Sequence, residues 1–220
     1  RQVRIRRRLR IAGIVFAICI IAFGVACGVL YRYVSKFPGD KIAKNVYIGT
    51  VELSGLSKDE AEEKLSGQLK NDQTKKLALA VEDQSMEATL EELGFNYKDV
   101  KTIVQEAADY GKNGGLLGRY KKLRKLSKEK VVISPDYTLD EKAAESILEE
   151  RAVPLAKHAK NATITKGSNG LQVNKEEIGE TVDKSETIKA IKKYLNDDWN
   201  HKAVALDAKL KEEKPTVTEA

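Results

Sequence analysis

Two acidic pairs, Glu91-Glu92 and Glu176-Glu177, are the residues of this 220-residue sequence whose type and spacing most resemble a catalytic device. Paired carboxylates cleave glycosidic bonds, one as acid and the other as base or nucleophile. Adjacent residues on a turn or helix point in different directions, however, and both pairs recur in the same local context, so a structural role is expected. His158 and His201 are the other titratable candidates. Neither has a Cys or a second His at ligand spacing, so no metal site is expected. Their neighbours, Lys157 and Lys160 for one and Asn200 and Lys202 for the other, place both at the surface. The glycines from Gly111 to Gly118 fit neither a dinucleotide loop nor a P-loop. No Gly-x-Ser-x-Gly elbow is present, nor a Ser-x-x-Lys constellation with its supporting motifs. Cys19 and Cys27 both fall inside an apolar run, which leaves the rest of the chain without a disulfide or a thiol nucleophile. No catalytic residue, metal ligand or cofactor site is assigned.

Charge narrows the field further. The chain has 39 Lys and Arg against 33 Asp and Glu, a net +6. Six of the cations (Arg1, Arg4, Arg6, Arg7, Arg8, Arg10) lie in the first ten residues, and residues 1–31 contain no acid. Setting these six aside leaves 33 charges of each sign in residues 32–220. The excess is an arm and not a basic face on a folded domain, so nucleic acid is not an expected partner. From Ile11 to Leu30 twenty residues carry no charge and no strongly polar group. As a helix they cover about 30 Å, the hydrocarbon thickness of a bilayer. The run is apolar all round, unlike a soluble core helix. It is longer than a usual signal-peptide core, and Gly24 stands where a lipobox before Cys27 would have a large aliphatic residue. The arginines before it put the N-terminus in the cytoplasm. The expected layout is a cytoplasmic basic arm (1–10), a transmembrane helix (11–34) contacting the lipid bilayer, a linker (35–44) and an extracellular remainder, residues 35–220 in all. A cysteine-free exterior suits a bacterial surface better than a disulfide-stapled secreted fold.

The exported part repeats itself. At an offset of 85, Glu91-Glu92-Leu93-Gly94 falls on Glu176-Glu177-Ile178-Gly179, Val46 and Ile48 fall on Val131 and Ile133, and Leu77 and Leu79 on Ala162 and Ile164. Each copy reads strand, helix, two strands, turn, helix. The first helix opens at a capping box, Ser57 with Glu60 in one copy and Thr138 with Glu141 in the other. Alternation marks Leu77, Leu79, Val81, Met86, Ala88 and Leu90 as one buried face, with Ala162, Ile164, Leu171 and Val173 as its partner. Gly94 and Gly179 read as helix C-caps. Further helices begin near Asp99 and at Asp183, and a last strand carries Val204, Leu206 and Ala208. This order gives an α+β fold: two tandem, similar small modules over 45–130 and 131–210 behind the single transmembrane helix, with 211–220 as a linker toward a further domain. The strand Val131–Ile133 could close the first module or open the second.

Between the copies, Arg119 to Lys130 holds seven cations and one acid. It reads as an amphipathic helix with Leu116, Leu117, Leu123 and Leu126 packed inward; the alternative is contact with wall phosphates or anionic lipid headgroups.

The stretch from Asn45 through Tyr47-Ile48-Gly49 to Glu60-Ala61 resembles the opening signature of the membrane-anchored VanW-like family. Leu90-Glu-Glu-Leu-Gly-Phe95, followed by Glu106-Ala-Ala-Asp-Tyr-Gly-Lys-Asn-Gly114, is similar to the peptidoglycan-binding domain that those proteins share with some L,D-transpeptidases, and Asn161-Ala-Thr-Ile, Glu177-Ile-Gly179 and Pro215-Thr-Val-Thr218 resemble its continuation. Where that family often has Gly-Arg this chain has Gly111-Lys112, which exchanges a bidentate group for a point charge. The resemblance implies a non-catalytic module held at the wall, binding peptidoglycan or another anionic wall polymer. Aromatic faces for sugars and cations for carboxylates single out Tyr97, Tyr110, Arg119, Tyr120 and Trp199 as ligand-binding candidates. Two alternatives remain at this level. One is a structural stalk or protein-interaction spacer; the other is the N-terminal part of an L,D-transpeptidase whose catalytic domain lies beyond residue 220.

Overall fold

One unbroken helix accounts for the basic arm and the apolar run together: α1 (Gln2–Val34). Its Ala12–Val34 portion, 23 residues, is long and apolar enough to cross a membrane. Phe16, Ile21 and Phe23 are exposed, and only at its end does the helix pack, where Val34 is buried. Apolar side chains exposed on every side suit a helix surrounded by lipid and would be a liability in water. The computed structural model describes residues 2–37, 39–167 and 170–219, with side chains from Ala12 onward; the arginine side chains of the arm and Pro38 in the expected linker lie outside them.

After α1 come β1 (Val46–Ile48), β2 (Val51–Glu52), α2 (Lys58–Gln73), β3 (Lys76–Val81), β4 (Gln84–Thr89), β5 (Asn96–Tyr97), α3 (Val100–Asp109), α4 (Leu116–Leu126) and β6 (Val131–Ile133). Then follow β7 (Tyr137–Thr138), α5 (Glu141–Arg151), a 3-10 turn (Val153–Leu155), β8 (Thr163–Gly167), β9 (Gly170–Asn174), β10 (Gly179–Val182), α6 (Lys184–Asp197), β11 (Val204–Asp207) and β12 (Leu210–Glu213). The fold is α+β, as its patterning implies. Two compact units form, residues 1–65 with 100–134 and residues 66–99 with 135–220, the division falling inside α2.

In the first unit β1 is central, antiparallel to β2 and parallel to β6, with Val46 opposite Val131 and Ile48 opposite Ile133. The ambiguous strand at 131–133 therefore completes this sheet. Val46, Ile48, Leu53, Ala61, Leu65, Val104 and Ala107 fill the core. The capping box of α2 forms as expected: Glu60 Oε2 accepts from Ser57 N (2.7 Å) and Ser57 Oγ from Glu60 N (3.3 Å).

In the second unit β3 is flanked by β4, antiparallel, and β11, parallel. Leu77, Leu79 and Met86 pack in one cluster with Ala144 and Leu148 of α5 and Ile188, Ile191 and Leu195 of α6. Asp183 caps α6, accepting from Glu186 N (3.2 Å). The second expected box, Thr138 with Glu141, does not form. Thr138 is held in β7, opposite Asn96, so Asp140 caps α5 by accepting from Lys142 N and Ala143 N, and Glu141 pairs instead with Lys192 (2.8 Å).

The elements recur at the 85-residue spacing, β1 with β6, β3 with β8, β4 with β9 and α3 with α6, but burial does not. Leu79 and Met86 are buried, whereas Ile164 and Leu171, their counterparts, are 68% and 78% exposed, and Val173 is 49% exposed. The expectation that these three face a core is thereby overturned. Alternation reports that a hairpin has an apolar face, not that anything covers it, and β8 and β9 form a two-stranded sheet by themselves. Neither glycine of the repeated turn is a helix C-cap. Gly94 (φ +66) lies in the turn after β4, with Asp140 where a side chain would go, while Gly179 opens β10 directly against backbone. Residues 211–217 are also tied down where a linker was expected: β12 pairs with β10, and Thr216 N and Val217 N donate to Asn161 Oδ1.

Arg151 Nη2 donates to Glu92 Oε1 at 2.6 Å, and Thr89 N donates to Glu92 Oε2. The Arg151 hydrogen bond is the main reason that the Glu92 carboxyl is pushed down to about 2 from its ordinary 4.5. A carboxyl depressed by folding stabilises the folded state fully above its unfolded value and loses that contribution as pH falls through the folded one. Wild type is therefore expected to lose thermal stability between pH 4.5 and about 2, and Glu92→Gln to lose less over the same interval. Melting curves across that range check this; parallel profiles would refute it.

Candidate functional site

The first unit encloses a cavity of about 810 Å³ between the segment following α1, the end of β2 and the α3–α4 corner. Asn45 sets one wall. It adopts φ +59, a conformation that Asn tolerates better than most residues, and its Nδ2 donates to Leu126 O (2.7 Å), fastening the last turn of α4. Its own N–H donates to Ser54 Oγ (2.8 Å). The corner turns at Gly111 (φ +80), where a Cβ would come within 2.7 Å of Leu123 Cδ2, so glycine lets α4 close on α3. Lys112 Nζ donates to Gly39 O (2.9 Å), and Arg119 Nε reaches Gly111 O (3.4 Å).

The lining has a consistent character. Lys36, Lys41, Lys44, Lys112 and Arg119 supply five cations, against Asp109 as the acid among the described residues, and Phe37, Ile42, Ala43, Leu123 and Leu126 supply apolar wall. Burial pushes the Lys112 ammonium down, with Asp109 working in the opposite direction. An anion entering the cavity would relieve part of that burial penalty. Tyr110 also lines the space, with Lys122 Nζ 5.7 Å from its ring centroid. The volume falls in the range of small-molecule sites. The arrangement suits a carboxylate or phosphate attached to a body of sugar-and-peptide size.

The five candidate residues do not gather in one place. Tyr110 and Arg119 line the cavity. Tyr120 points elsewhere from α4: its ring meets Tyr33 edge-on at 5.1 Å, and its hydroxyl accepts from Arg124 Nη1 (2.7 Å). Tyr97 and Trp199 belong to an aromatic cluster in the second unit, with Tyr97 stacked on Tyr137 at 5.4 Å and Trp199 4.6 Å from His201. The rings there cover one another. Tyr97 is buried, and that burial pushes its hydroxyl up to about 12 and the Tyr137 hydroxyl higher still. His201 is not the surface residue that its polar neighbours implied, since its Nδ1 lies 3.0 Å from Oδ2 of Asp72, a fully buried carboxylate. His158 is half-exposed between Glu213 (2.8 Å) and Val153 O (2.9 Å), and the Glu213 hydrogen bond raises its pKa. Sequence reasoning missed Lys36, Lys41 and Lys44. They sit in a stretch read as linker, and only the fold brings them opposite Lys112 and Arg119.

No curated protein and no solved structure matches the chain. Residues 86–217 do match a family described as a putative peptidoglycan binding domain. That stretch includes Tyr110, Lys112 and Arg119 from the cavity wall together with most of the second unit's core. A family of this kind carries a cell-wall-binding role and is a non-catalytic module. With 132 of its 220 residues inside the match, this chain belongs to the putative peptidoglycan binding domain family.

Proposed function

We propose that the chain is a membrane-anchored, non-catalytic module that binds peptidoglycan or another anionic wall polymer on the outer side of the cell membrane, with the cavity of the first unit holding the anionic part of the ligand. Family membership supports the wall role. The observation that carries the site is a cationic lining, five cations with Asp109 as the acid among the described lining residues, around a recess whose wall includes Asp109-Tyr-Gly-Lys-Asn113, part of the stretch that resembles the wall-binding domain. Lys41, Lys44 and Arg119 would pair with stem-peptide carboxylates, Leu123 and Ile42 would cover aliphatic surface, and Tyr110 would lie along a sugar ring. The apolar α1 supports anchoring, and the arginines before it support an outward-facing remainder.

The detergent-solubilised full chain is expected to be retained on purified sacculi above a control protein of neutral net charge. Lys44→Ala/Arg119→Ala is expected to reduce retention about tenfold, which corresponds to losing one to two charge-assisted hydrogen bonds. A thermal melt of the variant close to wild type separates lost binding from lost folding. Equal retention of wild type and control would remove the wall reading; equal retention of wild type and folded variant would remove the cavity as its site.

A further inference from the structure

The other side of α4 is not used by wall binding in the cavity. Leu123 and Leu126 are buried and, with Arg119, face the cavity. On the opposite face Leu117, Lys121, Arg124, Lys125 and Lys128 follow at helical spacing and, with Tyr120, line a shallow surface groove. Leu117, expected to pack inward, is instead 54% exposed at the head of this cationic row. Glu129, 4.0 Å from Lys125 at the far end of the groove, is the acid paired with the row.

Tyr120 belongs to the groove and also meets the ring of Tyr33, in the last turn of α1. The long apolar stretch ends one residue later, at Val34. Tyr33 packs in turn on Phe37 (5.7 Å), and Tyr31 is 67% exposed. Aromatic rings at the end of an apolar span sit at the depth of lipid headgroups. The contact therefore holds α4 beside the point where α1 leaves the hydrocarbon. A row of cations with an exposed leucine at its head, held beside the end of an apolar span, is the charge pattern that an anionic membrane surface attracts.

We propose that the outer face of α4 docks on anionic phospholipid headgroups of the leaflet that α1 exits, so that the first unit is held against the membrane and is not free on its tether. This rests on α1 spanning the bilayer. Charge complementarity and continuity with the end of the span favour lipid over wall polymer as the occupant.

The test is hydrogen exchange on the full chain in nanodiscs made of phosphatidylcholine alone or with phosphatidylglycerol. Amides of α4 are expected to exchange about tenfold more slowly in the anionic discs, and the difference should shrink at high salt. Lys121→Gln/Lys125→Gln/Lys128→Gln, which spares Arg124 and its bond to Tyr120, should abolish the difference while leaving α3 protection unchanged. Equal α4 exchange in the two discs, with α1 amides protected in both, would overturn the proposal alone. Unprotected α1 amides would overturn the membrane reading and this proposal with it. Protection of α4 by added teichoic acid in neutral discs, without any effect of phosphatidylglycerol, would assign the face to wall polymer and overturn the lipid docking.

Discussion

Replacing Gly179 with alanine is expected to destabilise the second unit by about 3 kcal/mol, the upper end of what overpacking a filled site costs. Gly179 is the first residue of β10, and a Cβ built there would overlap the backbone of Lys157, His158 and Ala159. A clash with a long side chain can be relieved by a rotamer change, but three backbone groups must move as a segment. That segment is fastened where it would have to yield. Glu180 N donates to Lys157 O (2.7 Å), Ala159 N donates to Glu213 Oε2 (2.9 Å), and Lys160 and Glu177 bond to each other through both backbone N–H groups. Moving β10 away would break the first and last of these and disturb the pairing of β10 with β12. Gly67→Ala supplies the contrast: Gly67 lies within α2 with open space around it, so alanine should be neutral or stabilising by up to about 1 kcal/mol. Urea denaturation of both variants reads the difference, and a loss below about 1 kcal/mol at Gly179 would mean that β10 and residues 157–159 have room between them for a methyl group.

The same glycine shows how much of this molecule the sequence discloses. Recurrence at an 85-residue spacing flags Gly94 and Gly179 together, yet they serve different ends. Gly94 needs a left-handed backbone as well as an absent side chain, whereas Gly179 needs only the absent side chain. Most local signals are read well, with the Thr138–Glu141 box and the Gly94 cap as exceptions. The Ser57–Glu60 box, the Asp183 cap and the apolar faces of α3 and α6 depend on neighbours within four residues along the chain, and they form as expected. Signals that depend on a distant partner are not. Alternation in β8 and β9 has the form of alternation in β3 and β4, but α5 and α6 pack on only the earlier hairpin.

The candidate site divides along the same line. Tyr110 and Arg119, singled out by residue type, both line the proposed recess. Lys36, Lys41 and Lys44 carry no signal of their own, since lysines in a presumed linker are ordinary. They acquire meaning only once Asn45 pins α4 across a gap of 81 residues. Trp199 and Tyr97 were candidates by residue type, and the fold instead stacks them into a cluster anchored by a buried acid. Residue type proposes a chemistry, but burial and partners decide whether a ligand can reach it.

That buried acid gives the other large expected effect. Asp72 is fully buried at the end of α2, and its carboxylate accepts from Gln68 Nε2 (2.9 Å) and His201 Nδ1 (3.0 Å). His201 holds a left-handed backbone (φ +61), a conformation uncommon for a non-glycine residue. Its ring packs on Trp199, and Trp199 in turn meets Phe95 and Tyr137. Asp72→Ala leaves an amide and an imidazole N–H without their acceptor and opens a void beside the rings, so a loss of about 3 kcal/mol is expected. Asp72→Asn keeps one oxygen acceptor and should lose less, about 1–2 kcal/mol. His201→Ala tests the pair from the other side, and a double-mutant cycle with Asp72→Ala should return a coupling of about 1–3 kcal/mol. Trp199 is the only tryptophan in the chain, so its fluorescence reports on this cluster alone. Its emission should shift toward that of a solvated indole in Asp72→Ala at denaturant concentrations where wild type is still folded. Coincident unfolding curves and unchanged emission would show that the Asp72–His201 contact contributes nothing to the unit. An early emission change without loss of α-helical signal would show instead that the aromatic cluster opens before the rest.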